Sequence, residues 1–201
     1  MISLRVARKE DAEGILAIYS PFVKNTTVSF EYEVSDVSNY ATKIEELLIN
    51  FPWLIAEADG VIVGYAYASK HRDRPGYAWS AESSIYVHDD FMRKGIATVL
   101  YNALFEILAA QNFINLYAGI AQPNEGSTMF HVKMGFTPVG VYKKVGYKNG
   151  NWVDVVWLHR TLLKHPAEPK ATIAFSSPAI QSNTQEILLA ATNLLNQKGQ
   201  S

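Results

Sequence analysis

Between Glu82 and Tyr101 the chain reads Glu-Ser-Ser-Ile-Tyr-Val-His-Asp-Asp-Phe-Met-Arg-Lys-Gly-Ile-Ala-Thr-Val-Leu-Tyr. A strand runs into a short polar loop, and the loop passes through Gly95 and Ala97 into an amphipathic helix. A helix start carries main-chain N–H groups without intrahelical partners, at the positive end of the helix dipole. Small residues at Gly95 and Ala97 let a ligand approach the backbone closely. The N–H groups of roughly Arg93 to Thr98 therefore suit a phosphorylated ligand. Glu82 lies on the strand just ahead of this loop. It is either a surface carboxylate on an amphipathic strand or a proton acceptor for a reaction at the bound ligand. Its neighbours Trp79, Ile85 and Val87 imply partial burial, which would raise its pKa and make it a better base.

Arg72 and Arg74 form a second group, in the polar loop before Tyr77. Two guanidinium groups there are either solvated loop charges or a bidentate grip on a carboxylate or an acidic tetrahedral head. Other chemistries find no support. The five histidines, at 71, 88, 131, 159 and 165, lack metal-ligand spacing such as His-Glu-x-x-His, so no metal is expected. There is no Gly-x-Ser-x-Gly elbow, no Walker phosphate loop, and no three-glycine dinucleotide fingerprint.

The bulk composition narrows the setting. A length of 201 residues supports one domain with a substantial core. A net charge of −1 argues against electrostatic capture of nucleic acid. The absence of cysteine excludes disulfides and thiolate nucleophiles and is compatible with a reducing interior. Charges interrupt the first ten residues, so they do not read as a signal peptide, and no apolar run approaches the ~20 residues of a membrane span. A cytoplasmic protein without membrane or nucleic-acid partners is expected.

The elements that must position these residues follow from periodicity. A first strand contains Leu4 and Val6. A helix opening at Arg8–Asp11 buries Ile15, Leu16, Ile18 and Tyr19 and is expected to close at Pro21. Ser35-Asp36 caps a second helix with Val37, Tyr40, Ile44, Leu47 and Leu48 on one side. Strands at 53–58 and 61–68 flank the Asp59-Gly60 turn. A strand is expected over 77–87 and a buried one over 116–120. The helix after Gly95 keeps the 3.6-residue period through Ile96, Val99, Leu100, Ala103, Leu104, Ile107 and Leu108. Asn124 starts another helix that ends near Gly135. Strands at 139–145 and 152–162 flank Asn149-Gly150. The proline-bearing stretch 165–181 reads as a linker. Ser182–Glu186 then caps an amphipathic helix over 182–201, which could dock on its own domain, dock on a partner chain, or hang loosely. Alternation of strands and helices only in the centre favours a mixed α/β sheet.

The run Met92-Arg-Lys-Gly95-Ile-Ala97 before a long helix resembles the acetyl-CoA loop of the GNAT superfamily of N-acetyltransferases. That loop carries Arg or Gln, two residues, Gly, one residue, then Gly or Ala. Met92 departs at the first position, so weaker or rearranged contacts are expected there. Asn124-Glu-Gly-Ser127, Phe130-His131 and Gly135-Phe136 look like the family's next element, one strand further on. Arg72–Val87 and Gly140–Trp157 are similar to the phosphinothricin and methionine sulfone/sulfoximine acetyltransferase branch. The likeness covers residues 2–163 and leaves the tail outside.

The resemblance implies a GNAT acyl-CoA N-acyltransferase fold over 1–164 with a C-terminal helical tail, and acetyl-CoA as co-substrate. It implies a pantetheine arm inserted between the strand holding Ile85, Tyr86 and Val87 and the strand over 116–120. Asn124 would bond that arm, and Ser127 would lie near its phosphate end. Arg93, Lys94, Gly95, Ile96, Ala97 and Thr98 would hold the diphosphate. Glu82 would be the base. An amide near Val87 would stabilise the oxyanion, and His131, where the superfamily often has Tyr, would be the acid for the departing thiolate. Arg72, Arg74, Tyr77 and Phe30, with Tyr32, would contact the amine substrate.

The amine matters. An α-amine with pKa near 8 costs about 1.4 kcal/mol to deprotonate at pH 7, and a Lys amine about 4.6 kcal/mol. One carboxylate is adequate for the first, so an amino-acid-like substrate is expected. A protein or peptide N-acetyltransferase and a non-catalytic acetyl-CoA sensor are the alternatives. The resemblance also implies a homodimer, with the aromatic hairpin of Tyr142, Tyr147, Trp152 and Trp157 as a contact surface.

Overall fold

A computed structural model describes residues 1–198 of the chain. Seven strands form one sheet: β1 (Ile2–Val6), β2 (Trp53–Ala58), β3 (Val61–Lys70), β4 (Ser80–Val87), β5 (Asn115–Ala121), β6 (Thr137–Lys148) and β7 (Asn151–Thr161). Their order is β1-β2-β3-β4-β5-β7-β6. All neighbours are antiparallel except β4 and β5, which run parallel. The expected mixed sheet is therefore present. Five helices cover it: α1 (Ala12–Asn25), α2 (Val37–Asn50), α3 (Ile96–Ala110), α4 (Glu125–Lys133) and α5 (Pro178–Lys198).

Strand alternation divides the core in two. Trp53, Ile55 and Tyr65 pack with α1 and α2, whereas Leu54, Ala56 and Ala66 pack with α3 and α5 on the opposite face. The hairpin turns form as their residues require: Asp59 and Gly60 have φ of 49° and 83°, and Asn149 and Gly150 have 51° and 78°. The Asp36 side chain accepts from the Asn39 N–H at 2.8 Å and starts α2. Val37, expected on the buried side, is 49% exposed, because it stands in the first turn ahead of the Tyr40–Ile44 face.

Three expectations need correction. Pro21 does not close α1, which continues to Asn25. The carbonyl that Pro21 deprives of a donor belongs to exposed Ala17, which water can serve, while Val23 beyond it is buried. Tyr77 does not open a strand, because Pro75–Tyr77 form a 3-10 turn and β4 begins at Ser80. The last helix starts at Pro178, so Ser182–Glu186 lie inside it. Proline is at home in a first helical turn, where its missing N–H costs nothing.

The stretch read as a linker is strapped to the domain. The Trp79 indole donates to the Lys170 carbonyl at 2.7 Å, Asn112 donates to Ala171 at 2.9 Å, and Gln111 exchanges hydrogen bonds with Ile173. Phe175 is buried. The tail then docks on its own domain. Helix α5 packs along α3 and buries Ile180, Leu188 and Leu195. It also covers the sheet edge: Thr192 Oγ1 accepts from Leu4 N–H, and Asn196 pairs with both Ile2 N–H and Ile2 C=O. Unpaired edge groups of β1 are thereby satisfied.

Candidate active site

Strands β4 and β5 pair only from Ser80–Asn115 to Glu82–Tyr117 and then part. Main-chain groups of a strand alternate between its two neighbours. The bond from His88 N–H to Val63 C=O sets that alternation in β4, turning the main chain of Ser83, Ile85 and Val87 toward β5. The bond from Gln122 N–H to Asp154 C=O does the same in β5, turning Gly119 and Ala121 toward β4. Beyond Glu82 the sheet thus has a gap edged by main-chain donors and acceptors. Ile85 and Tyr86, Asn124, Ser127 and His131 line it. The Tyr86 ring itself packs edge-on against Tyr19 and Phe22, both at 5.2 Å.

At its outer end the gap shares Ile85, Asn124 and Ser127 with a cleft of about 700 Å³. Val87, Arg93, Gly95, Ile96, Ala97 and Thr98 complete one wall of that cleft. Arg93 and Gly95 have φ of 60° and 84°, so the chain turns sharply before α3 begins at Ile96. This leaves first-turn amides at the cleft without intrahelical partners. The Lys94 ammonium stands 4.6 Å from the Phe91 ring. Asn124 caps α4 through its side-chain oxygen, which accepts from Ser127 N–H at 3.1 Å. Gly135 closes α4 at φ 84°.

Glu82 marks the point where pairing stops. Its carboxylate Oε1 lies 2.8 Å from His71 Nδ1, and the two side chains are 29% and 12% exposed. The His71 ring stacks on Tyr117 at 4.4 Å and 12°. Tyr77 and Trp157 stand edge-on to it at 5.9 and 6.1 Å. Sequence reading passed over His71, weighing it only as a metal ligand. Its signal lies in the register: Ser69 is opposite Glu82, so His71 extends the same face two residues on.

His131 is buried at the floor of the gap. Its Nδ1 lies 2.8 Å from the Ser127 carbonyl, which can only accept, so Nδ1 carries the proton. Nε2 then accepts from the Tyr101 hydroxyl at 2.8 Å, and that hydroxyl is 3.2 Å from Ser83 Oγ. Burial pushes the His131 pKa below its ordinary value and the Tyr101 pKa above its own.

The expected substrate residues fall in two places. Arg72, whose guanidinium is 5.9 Å from the Trp157 ring, lines a cleft of about 430 Å³ with Arg74, Tyr77 and the strap at Thr172–Ala174. Phe30 does not line that cleft. It lies across Gly146 of β6, and the Tyr32 hydroxyl donates to the Tyr147 carbonyl. Lys148 anchors this loop, its buried ammonium donating to the carbonyls of Val23 and Ser29 at 2.7 and 2.6 Å. Desolvation lowers the Lys148 pKa.

Known proteins resemble this chain in sequence and fold. Residues 4–157 match a family model described as an acetyltransferase (GNAT) domain, which ends before the strap and α5. A phosphinothricin N-acetyltransferase of Streptomyces viridochromogenes is 33% identical over 84% of this chain and 92% of its own length. An L-methionine sulfoximine/L-methionine sulfone acetyltransferase of Salmonella typhimurium is 30% identical over 83% and 98%. The structure of yncA, a putative acetyltransferase from Salmonella typhimurium solved with its cofactor acetyl-CoA, superposes with a TM-score of 0.80 at 29% identity, covering 85% of this chain and 99% of that one.

Proposed function

This chain belongs to the GNAT acetyltransferase family, and we propose that it transfers acetyl from acetyl-CoA to the amine of a small amino acid of the phosphinothricin or methionine sulfone type. One observation carries the reading. A gap between β4 and β5 opens at one end onto the unpaired amides before α3 and begins at the other where the pairing of the strands stops, at Glu82.

The chemistry follows from that path. Amides of Gly95 to Thr98 hold the diphosphate of the co-substrate, and the main chain of Ile85 and Val87 pairs with its pantetheine arm. The thioester carbon then lies near Glu82. The carboxylate takes a proton from the attacking amine, nitrogen bonds to the thioester carbon, and the carbon–sulfur bond breaks to release thiolate. A β4 amide facing the gap stabilises the oxyanion. Transfer is direct, since no cysteine exists to carry an acyl group. His131, neutral with its N–H on Ser127 and its Nε2 taken by the Tyr101 hydroxyl, keeps the floor of the gap in shape, and the thiolate takes its proton from water. Arg72, whose guanidinium reaches the Trp157 ring beside His71, holds the substrate's acidic group, whereas Arg74 lines a cleft that Glu82 does not share.

We further read the molecule as a cytoplasmic homodimer. Acetyl-CoA is an intracellular metabolite, and Val141, Tyr142, Val145, Tyr147 and Trp152 are exposed apolar residues on the β6–β7 hairpin.

A thiol-release assay with acetyl-CoA across a panel of amino acids, including methionine sulfone and phosphinothricin, tests the reading. Turnover of these amines is expected, with kcat/KM falling about 10²–10³-fold in Glu82→Gln. Silence on every amino acid with activity on peptides would transfer the enzyme to the protein N-acetyltransferases. An undiminished Glu82→Gln would remove the carboxylate from the mechanism.

A further inference from the structure

We propose that His71 is a positioning residue for acetyl transfer, holding one oxygen of Glu82 so that the other is presented to the amine. The proposal rests on the transferase reading above and goes beyond it in assigning a second residue to the proton-accepting step.

Three features place His71 in this role. The first is the hydrogen bond. His71 Nδ1 lies 2.8 Å from Glu82 Oε1, and among the described residues no hydrogen bond engages Oε2. A glutamate has three rotatable bonds before its carboxylate, so a half-buried one left alone samples several orientations. A single fixed donor selects among them and leaves Oε2 as the open acceptor.

The second feature is the rigidity of the donor. The imidazole is stacked on Tyr117 and met edge-on by Tyr77 and Trp157, and its side chain is only 12% exposed. Those contacts come from β5, the 75–77 turn and β7, three separate parts of the chain. They fix the ring plane, and with it the direction of Nδ1. A salt bridge between two exposed, mobile side chains would give no such orientation.

The third is placement. Glu82 is the last β4 residue paired with β5, so the His71–Glu82 pair stands where the gap begins. Arg72, the next residue, has its guanidinium 5.9 Å from the same Trp157 ring. His71 thus ties the carboxylate to the loop that carries the expected substrate contacts. A misplacement of about 1 Å at a reacting group can cost on the order of 10²-fold in rate, which is the scale on which such a tie acts.

The test separates ring from donor. In His71→Phe the stack remains and the donor is lost. In His71→Asn the side-chain amide occupies the place of Nδ1 and the ring is lost. With acetyl-CoA and an amine found active for the wild-type protein, His71→Phe should lower kcat about 30-fold, with the amine KM and the acetyl-CoA Kd changed by less than about two-fold. His71→Asn should recover kcat to within about five-fold of wild type. In a Glu82→Gln background His71→Phe should cause no further loss, because the residue it orients is already disabled. A His71→Phe enzyme as fast as wild type overturns the proposal and leaves the transferase reading intact. So does an equal loss in the Glu82→Gln background, or a His71→Asn enzyme as slow as His71→Phe. A wild-type protein that turns over no amine overturns the transferase reading, and this proposal with it.

Discussion

Gly95 and Gly60 share a backbone conformation and differ in what surrounds them. Their φ values are 84° and 83°, in the left-handed region where an L side chain is strained. A Cβ added at Gly60 would meet nothing within 4 Å, and one added at Gly95 would meet only Leu195 Cδ1 at 3.8 Å, an ordinary contact. Alanine at either position therefore costs backbone strain alone, about 1 kcal/mol. For a domain of this size that lowers Tm by roughly 2–4 °C. The consequences for ligand binding diverge. Strain at Gly95 is relieved by rotating the peptide planes that aim the amides of Ile96 and Ala97 at the cleft. Loss of one charge-assisted hydrogen bond there, about 2 kcal/mol, weakens coenzyme A binding about 30-fold. Calorimetric melting and titration with coenzyme A measure both quantities on both variants. Equal Tm losses with weakened binding only in Gly95→Ala are expected. Wild-type affinity in Gly95→Ala would show that this loop does not hold the diphosphate. A far larger Tm loss at Gly95 than at Gly60 would show that the cost is packing and not conformation.

Two further outcomes follow from burial and from the tail. The unfolded chain protonates His131 near pH 6.5, while burial holds the folded pKa lower. Below 6.5 the unfolded state therefore binds the extra proton, and stability falls with pH until the folded pKa is passed. His159, lowered by its burial and by His165, acts in the same direction. Urea midpoints should drop between pH 7 and pH 5, and His131→Gln should flatten part of that drop. A midpoint indifferent to pH would contradict the burial argument. Joining Thr192→Val with Asn196→Ala removes three hydrogen bonds from α5 to β1. It should cost about 2–3 kcal/mol in chemical denaturation and speed amide exchange at Ile2 and Leu4. Unchanged exchange at those amides would show that the strand edge does not depend on the helix.

Much of the framework is written locally. Asp59-Gly60 and Asn149-Gly150 dictate their turns because few other pairs accept two positive φ values in succession. Asp36 dictates a helix start because its side chain reaches the amide three residues on. The apolar period after Gly95 specifies α3, and the small residues at its head specify an open, amide-lined cleft. Each of these rests on interactions within a few residues along the chain. The family resemblance, carried by the loop at 92–97 and the element at 124–136, stands on the same local signals.

The rest depends on residues brought together from afar. Pro21 reads as a stop until the buried Val23 beyond it and the solvated Ala17 carbonyl behind it are known. The strap over 165–177 carries prolines and looks free, yet its backbone finds partners on Trp79, Gln111 and Asn112. The hydrogen bond of His71 with Glu82 exists only because β3 and β4 meet with Ser69 opposite Glu82. Turn chemistry and periodicity are properties of neighbours in sequence, so the amino-acid order determines them alone. Strand register, the parting of β4 from β5 and the resting place of α5 are set by which apolar surfaces fit together, and that fit is defined only once the whole sheet has formed.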